Sequence, residues 1–393
     1  MIKIIFWILL SLIFYTYLGY TILLFLLVGI KKLFTKKSKD IYEIIDLPEI
    51  TLLIAAFNEK DVIERKMKNT YELDYPKDKI KILWITDGSE DGTPDILNSK
   101  FIDIQVLHQQ KRDGKTAALN RAMAFVKTPY VIFCDANAML HPQSAKNIIK
   151  QFNSPRIGCV AGEKRISSEF VAQVSGTGEG SYWKYESLIK KLESDFNTTL
   201  GAAGELYAIR TDLFEKIDED IIIDDFVNSL NMARKGYLIK YTPNAYASES
   251  PSFNITEELK RKVRIASGGF QTIVRIPSMF NFFRYGFLSI EYISHKVLRW
   301  SVVPFAIPMF FIINLVLCLE QSWQFDLYNN FFFAQLLFYF MVFIGYFLGK
   351  RWKYFRILYL PYYMIIMNFA QIVGFIRFIR GKHSVVWIKA RRS

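Results

Sequence analysis

Cysteine is scarce here: Cys134, Cys159 and Cys318 are the only three in 393 residues. Three scattered cysteines give no disulfide framework and no zinc-ligand spacing, and they are consistent with a reducing compartment. The Gly-x4-Gly-Lys spacing of a P-loop is also missing. Acidic charge runs short, with 37 Asp and Glu against 50 Lys and Arg, for a net charge of +13. Such an excess can serve nucleic acid, anionic lipid or anionic substrate. The basic residues, however, gather beside apolar runs. One group is Lys31, Lys32, Lys36, Lys37 and Lys39; a second is Lys350, Arg351, Lys353 and Arg356; a third is Arg377, Arg380, Lys382, Lys389, Arg391 and Arg392. That placement suits the cytoplasmic flanks of membrane segments and argues against a nucleic-acid partner.

Half of the chain is apolar (51%) and 16% is aromatic, with the excess at the two ends. Ile4 to Ile30 carries no charge and is long enough to span a bilayer. It is too long for a signal-peptide core, and no small-residue cleavage site follows it. The lysines after it place the next domain in the cytoplasm. Ser301 to Leu319 and Asn329 to Gly349 are two further uncharged runs. The loop between them, Glu320 to Asp326, has no Lys or Arg and is expected outside. The last run, Ile357 to Ile376, leaves two readings open. As a fourth span it would carry a basic tail outward, against the positive-inside rule. As an interfacial or re-entrant helix it would keep the C-terminus in the cytoplasm.

Between these ends, short β-like runs alternate with helical stretches. Strands are predicted at Thr51 to Ala56, Ile80 to Thr86, Ile104 to Leu107 and Tyr130 to Cys134. Helices are predicted from about Lys60 to Tyr71 and from Gly114 to Val126. The alternation predicts an α/β domain with a mostly parallel sheet. Ligands bind such sheets at the carboxyl ends of the strands, where Ala56, Asn58, Glu59, Asp87, Gly88 and Asp135 would lie.

Each motif has a plain structural reading beside a chemical one. Asn58 can cap a helix. Asp87-Gly88-Ser89-Glu90-Asp91-Gly92 is built from turn residues, yet its carboxylate could accept from an imide N–H and its glycines admit a ligand. Lys115 opens a helix and could neighbour a diphosphate. Asp135 and Asn137, two apart at a strand end, could face one divalent cation. Gly201 to Arg210, with Gly204 and Glu205, has small residues that could line an acceptor pocket. Asp224 and Asp225 begin a helix, where acids are favoured. One of them could also be a general base, if held rigidly toward a cleft. Lys260 to Arg264 lies on an amphipathic stretch. Most of its charges are expected to face lipid, with Arg264 turned toward the site.

Taken in order, these residues resemble the family 2 glycosyltransferases, in the membrane-embedded branch that includes cellulose, hyaluronan and poly-N-acetylglucosamine synthases. The resemblance runs from about residue 49 to 275. It implies a nucleotide-diphospho-sugar transferase (GT-A-like) fold, with transmembrane and interfacial helices around it. It also implies a UDP-sugar donor and Mg2+ or Mn2+. Asp87 matches the nucleotide-binding aspartate, Asp135 the first residue of the metal motif, and Asp225 the catalytic base, with Asp224 in the preceding acidic position. Arg264 matches the arginine of Gln-x-x-Arg-Trp. Trp387, Lys389 and Arg391 resemble a cytoplasmic C-terminal motif that contacts the nucleotide. Departures are Thr86 for Asp, Asn137 for Asp, Arg261 for Gln and Ile265 for Trp. The last two put processive synthesis in question.

The expected division is a transmembrane helix at 1–30, a basic linker at 31–48 and a cytoplasmic transferase domain at 49–256. Interfacial amphipathic helices follow at 257–297, then a transmembrane hairpin at 298–350. A last hydrophobic helix and basic tail occupy 351–393. The reading implied is an inverting, multi-pass enzyme of a bacterial inner membrane. Its acceptor would be a growing polysaccharide or a lipid-linked molecule. So few spans imply a second copy or an accessory export subunit. A membrane scaffold without catalysis is the remaining alternative.

Overall fold

Seven consecutive residues, Ile50–Ala56, are buried and form β1 in a computed structural model that describes residues 1–34, 46–167, 174–320, 326–348 and 358–381. A strand buried on both faces needs cover on both. The other strands are β2 (Ile80–Asp87), β3 (Gln105–Gln109), β4 (Tyr130–Asp135), β5 (Met139–Leu140), β6 (Ile157–Ile166), β7 (Tyr207–Arg210) and β8 (Leu238–Glu249). The helices used below are α1 (Ile2–Phe34), α2 (Ile63–Tyr71), α3 (Thr93–Lys100), α4 (Lys115–Met123), α5 (Ser144–Ile149), α6 (Val174–Phe196), α7 (Asp224–Arg234), α8 (Ile255–Arg275), α9 (Phe287–Glu320), α10 (Leu327–Leu348) and α11 (Tyr359–Ile379).

The eight strands form one sheet in the order β3-β2-β1-β4-β7-β6-β8-β5. The predicted parallel half is present, with β3, β2, β1 and β4 side by side and parallel. Beyond it, β7 runs antiparallel to β4 and to β6, while β6 and β8 are parallel. Alternate residues of β1 point to opposite faces. Leu53 and Ala55 join a core with Val131, Phe133, Tyr207 and Ile222, whereas Leu52 and Ile54 join one with Trp84, Ile132 and Ala208. The register aligns Ala55 with Asp135, Ala56 with Thr86 and Asp87 with Gln109. The loops after β1, β2, β3 and β4 therefore emerge at one edge.

Among the described residues four helices, α1, α9, α10 and α11, are long and apolar enough to cross a membrane. The run whose sequence left two readings open forms α11. The residues Lys36, Lys37, Lys39, Lys350, Arg351, Lys353, Arg356, Lys382, Lys389, Arg391 and Arg392, and most of the Glu320 to Asp326 loop, lie outside the described residues.

Helix α8 differs from the lipid-facing expectation. Asn254 caps it, its side chain accepting from Glu257 N. Glu258, Lys262 and the run from Ala266 to Thr272 are buried. Contact with α11 is close: a Cβ on Gly374 would lie 2.4 Å from Ala266 Cβ. Arg261 turns inward because carboxylates wait for it, with Glu179 at 2.6 Å and Glu258 at 3.0 Å. Tyr363 of α11 donates to Glu258 at 2.9 Å.

A second polar joint ties α6 to α9. His295 lies 2.7 Å from Glu193 and 3.2 Å from Glu186. Lys296 and Arg299 donate to Glu186 at 2.6 and 2.9 Å, and Tyr20 of α1 donates to Glu193 at 2.9 Å. Charges on a membrane helix are found where it faces protein and a partner. Glu186→Ala would leave buried cations unmatched, at a cost of about 3–5 kcal/mol. Thermal unfolding in detergent should show a melting temperature well below wild type, with Glu186→Gln falling between. An unchanged value would mean that the network adds no net stability.

Candidate active site

Three loops are stitched together at the carboxyl edge. After β1, Asn58 adopts φ 54° and its Oδ1 accepts from Glu90 N at 2.9 Å. Its own N–H donates to Ser89 Oγ at 3.1 Å, and Glu59 N donates to Thr93 Oγ1 at 3.0 Å. The α2 helix therefore starts at Ile63, later than predicted, because 58–60 is spent on this contact. Ala56 is buried on the sheet's core face, so only its backbone borders the edge.

Asp87 ends β2 and is fully buried. Its Oδ2 accepts from Gly114 N at 2.7 Å and Asp113 N at 3.1 Å, and Arg121 approaches Oδ1 at 3.4 Å. The carboxylate thus holds the loop that launches α4 and aims Lys115. Gly88 has φ +68°, and a Cβ there would meet Arg112 Cβ at 2.6 Å. The Arg112 guanidinium stacks on Phe57, 3.4 Å from the ring centre. Sequence reading passed over that pair, because nothing in the spacing marks a cation–π contact between two loops.

The centre of the site is Lys115. Its Nζ lies 2.5 Å from Asp135 Oδ1. A Cβ on Gly204 would lie 3.0 Å from Lys115 Nζ and 3.3 Å from Asp225 Oδ2. Lys115, Asp135, Gly204 and Asp225 are therefore brought together, and any larger side chain at 204 would crowd the charges. Burial opposes the lysine's charge, but Asp135, Asp224 and Asp225 outweigh it and hold the ammonium above its ordinary range. Burial and the neighbouring Asp224 carboxylate push Asp225 up to about 6. Burial likewise raises Asp224, whose Oδ2 has no hydrogen-bond partner among the described residues.

The segment before Asp225 is held from two sides. Thr116 of α4 donates to Ile221 O at 2.9 Å. From α8, Arg264 donates to Ile222 O at 3.2 Å and Gln271 to Asp220 O at 2.8 Å. Ser229 accepts from Ala202 N at 2.9 Å and so ties the 201–205 loop to α7. Arg264 lies in the field of Asp224, Asp225 and Asp135, and its buried Nε has no hydrogen-bond partner among the described residues. Glu205 and Glu249 both pair with Lys164, the second at 2.7 Å. Lys164 was missed by sequence reading; the charged run Glu163-Lys164-Arg165 at a strand end was its signal.

Asn137 is half-buried in the turn after β4, two residues from Asp135. No group of three His, Cys, Asp or Glu suited to a metal occurs among the described residues. The donor set of Asp135 and Asn137 is hard oxygen, which fits Mg2+ or Mn2+ when a diphosphate completes the shell. Arg261 is drawn into its ion pairs with Glu179 and Glu258. Trp387, Lys389 and Arg391 lie outside the described residues.

Residues 51–218 match the family model Glycosyl transferase family 2. The chain carries a family 2 glycosyltransferase domain. The poly-beta-1,6-N-acetyl-D-glucosamine synthase of Staphylococcus aureus (strain MSSA476) is 31% identical over 253 residues, covering 61% of this chain and 58% of that protein. The synthase of the same name from Staphylococcus epidermidis is 28% identical over 242 residues, covering 58% and 56%. The chain thus spans less than two thirds of these relatives' lengths. Among solved structures, a mannosyltransferase from Pyrobaculum calidifontis, in complex with GDP-Man and Mn2+, superposes with a TM-score of 0.70. It is 21% identical, and the match covers 98% of this chain and all of that one, so the fold is shared.

In the glycosyltransferase domain, Asp87→Ala would strand two buried backbone N–H donors, a loss of about 2 kcal/mol. Thermal unfolding should show it. Asp87→Asn, which keeps an acceptor, should lose less. Equal melting temperatures for all three would remove the clamp assigned to Asp87.

Proposed function

We propose that this chain is an inverting transferase that moves a sugar from a UDP-sugar onto a growing polysaccharide at the cytoplasmic membrane face. The observation that carries the proposal is the grouping of Asp225 with Lys115 and Asp135 around Gly204. Asp225 Oδ2 would lie 3.3 Å from a Cβ on Gly204, and the missing side chain leaves that space for an acceptor hydroxyl. As general base it takes that proton while the acceptor oxygen attacks the anomeric carbon. One displacement inverts the centre, so an α-linked donor gives a β-linked product. Lys115 and Arg264 stabilise the charge that develops on the leaving diphosphate. Asp135 and Asn137 would hold Mg2+ or Mn2+, which supplies further electrostatic stabilisation of that leaving group. Asn58, Glu59, Gly88 and the Phe57–Arg112 stack border the nucleotide end.

A second reading is transfer of one or a few sugars to a lipid-linked acceptor. Arg261 and Ile265 favour it: the first is committed to Glu179 and Glu258, and the second packs on the sheet core. Sizing the products made on a defined primer separates the two readings.

Asp225→Asn should reduce UDP release by about a hundredfold or more, as loss of a general base does, while UDP affinity stays near wild type. Turnover preserved in that variant would remove Asp225 from the role. The pH profile is an independent check. Asp225 must be ionised to accept the proton, and its raised pKa means the ionised fraction falls as pH drops through about 6. Below that point log kcat/KM should fall with unit slope. A flat profile down to pH 5 would contradict a base of this kind.

A further inference from the structure

We infer that Lys115 gates metal entry, its ammonium competing with the divalent cation for Asp135, so that metal binds only together with a nucleoside diphosphate. This inference rests on the metal-assisted reading above. Lys115 Nζ is 2.5 Å from Asp135 Oδ1, and only 18% of its side chain is exposed. An ammonium and a divalent cation compete for one carboxylate oxygen at such a distance, because both are cations and only 18% and 29% of the Lys115 and Asp135 side chains are exposed to screening water. Asp135 contributes the only carboxylate of the Asp135–Asn137 pair, so an ion without phosphate ligands would have to displace the lysine for a single charged donor.

A diphosphate changes both sides of that competition. It brings oxygen donors for the metal and negative charge for the lysine. Gly204 leaves a path for the exchange, since a Cβ there would lie 3.0 Å from the ammonium and 3.3 Å from Asp225 Oδ2. The ammonium can therefore leave Asp135 without leaving the carboxylate cluster, and Asp135 is released to the metal as the phosphates arrive. The gate also keeps Asp135 neutralised at times when Asp224, Asp225 and Glu205 crowd the same space.

The test is Mn2+ binding to the full chain in lipid nanodiscs, read from the loss of the free-ion electron paramagnetic resonance signal, with and without UDP. Wild type should bind Mn2+ with UDP and weakly without it. Lys115→Met should bind Mn2+ without UDP about tenfold or more tighter than wild type, since a competing charge has been removed. Lys115→Arg, which keeps the charge, should again require UDP, and matched melting temperatures would establish that both variants fold. Equal Mn2+ affinity with and without UDP in wild type, unchanged in Lys115→Met, would overturn the gate and leave the transferase reading standing. No Mn2+ bound by wild type even with UDP, while UDP is still released from a donor, would overturn the metal-assisted reading and the gate with it.

Discussion

The ammonium of Lys115 is the charge on which the active edge depends. Asp135, Asp224 and Asp225 are gathered there under burial that raises all three, while Glu205 beside them is held ionised by Lys164. One cation in contact with Asp135 and in the field of Asp224 and Asp225 allows the cluster to exist partly ionised. Its position is fixed from behind: Asp87 grips the Asp113–Gly114 backbone, and Thr116 and Asn120 bolt α4 to residues 217–221. The geometry of the site is therefore a property of α4 and of the loop before it as much as of the acidic residues themselves.

Much of this was legible in the sequence because it is local. The apolar runs that end at Asp87 and Asp135 identify the parallel half of the sheet, and turn residues mark the loops that carry Asn58 and Gly88. The ordered set of weak motifs pointed to one family, and the family model agrees over residues 51–218. What was not legible depends on partners distant in sequence. The strands from β5 to β8 pair across long separations, and β7 runs antiparallel, so no nearby pattern announced them. The inward turn of Arg261 follows from Glu179, 82 residues away. A basic amphipathic helix read alone has lipid as its obvious partner. The buried acids of α6 and the hydroxyl of Tyr363 supply another.

The helices outside the sheet are also part of how the site is built. Helix α8 holds residues 220–222, directly before the Asp224–Asp225 pair, through Gln271 and Arg264. Its opposite side is welded to α11 through Ala266 against Gly374 and Glu258 against Tyr363. Helix α6 reaches α9 through Glu186 and Glu193, and the chain leaving α6 runs at once into Thr199 and the 201–205 loop. Two independent paths thus carry the placement of apolar helices into the position of Asp225 and Gly204. Each path runs through buried polar contacts, which tolerate little displacement before a group is left without its partner.

That construction bears on product length. Against the Gln-x-x-Arg-Trp pattern, this chain has Arg261 and Ile265. Here the helix presents the same face differently. Arg261 has two carboxylates of its own, and Ile265 packs with the core that contains Ile222 and Phe226. A tryptophan at 265 would have to be accommodated against that core, since filled cores resist added volume. The difference is therefore distributed over α6, α8 and the sheet, with Glu179 and Glu258 as its fixed points. On the reading proposed above, a grip on a growing chain would be supplied by other surfaces, and the residue at 265 would not alone decide how many sugars are added.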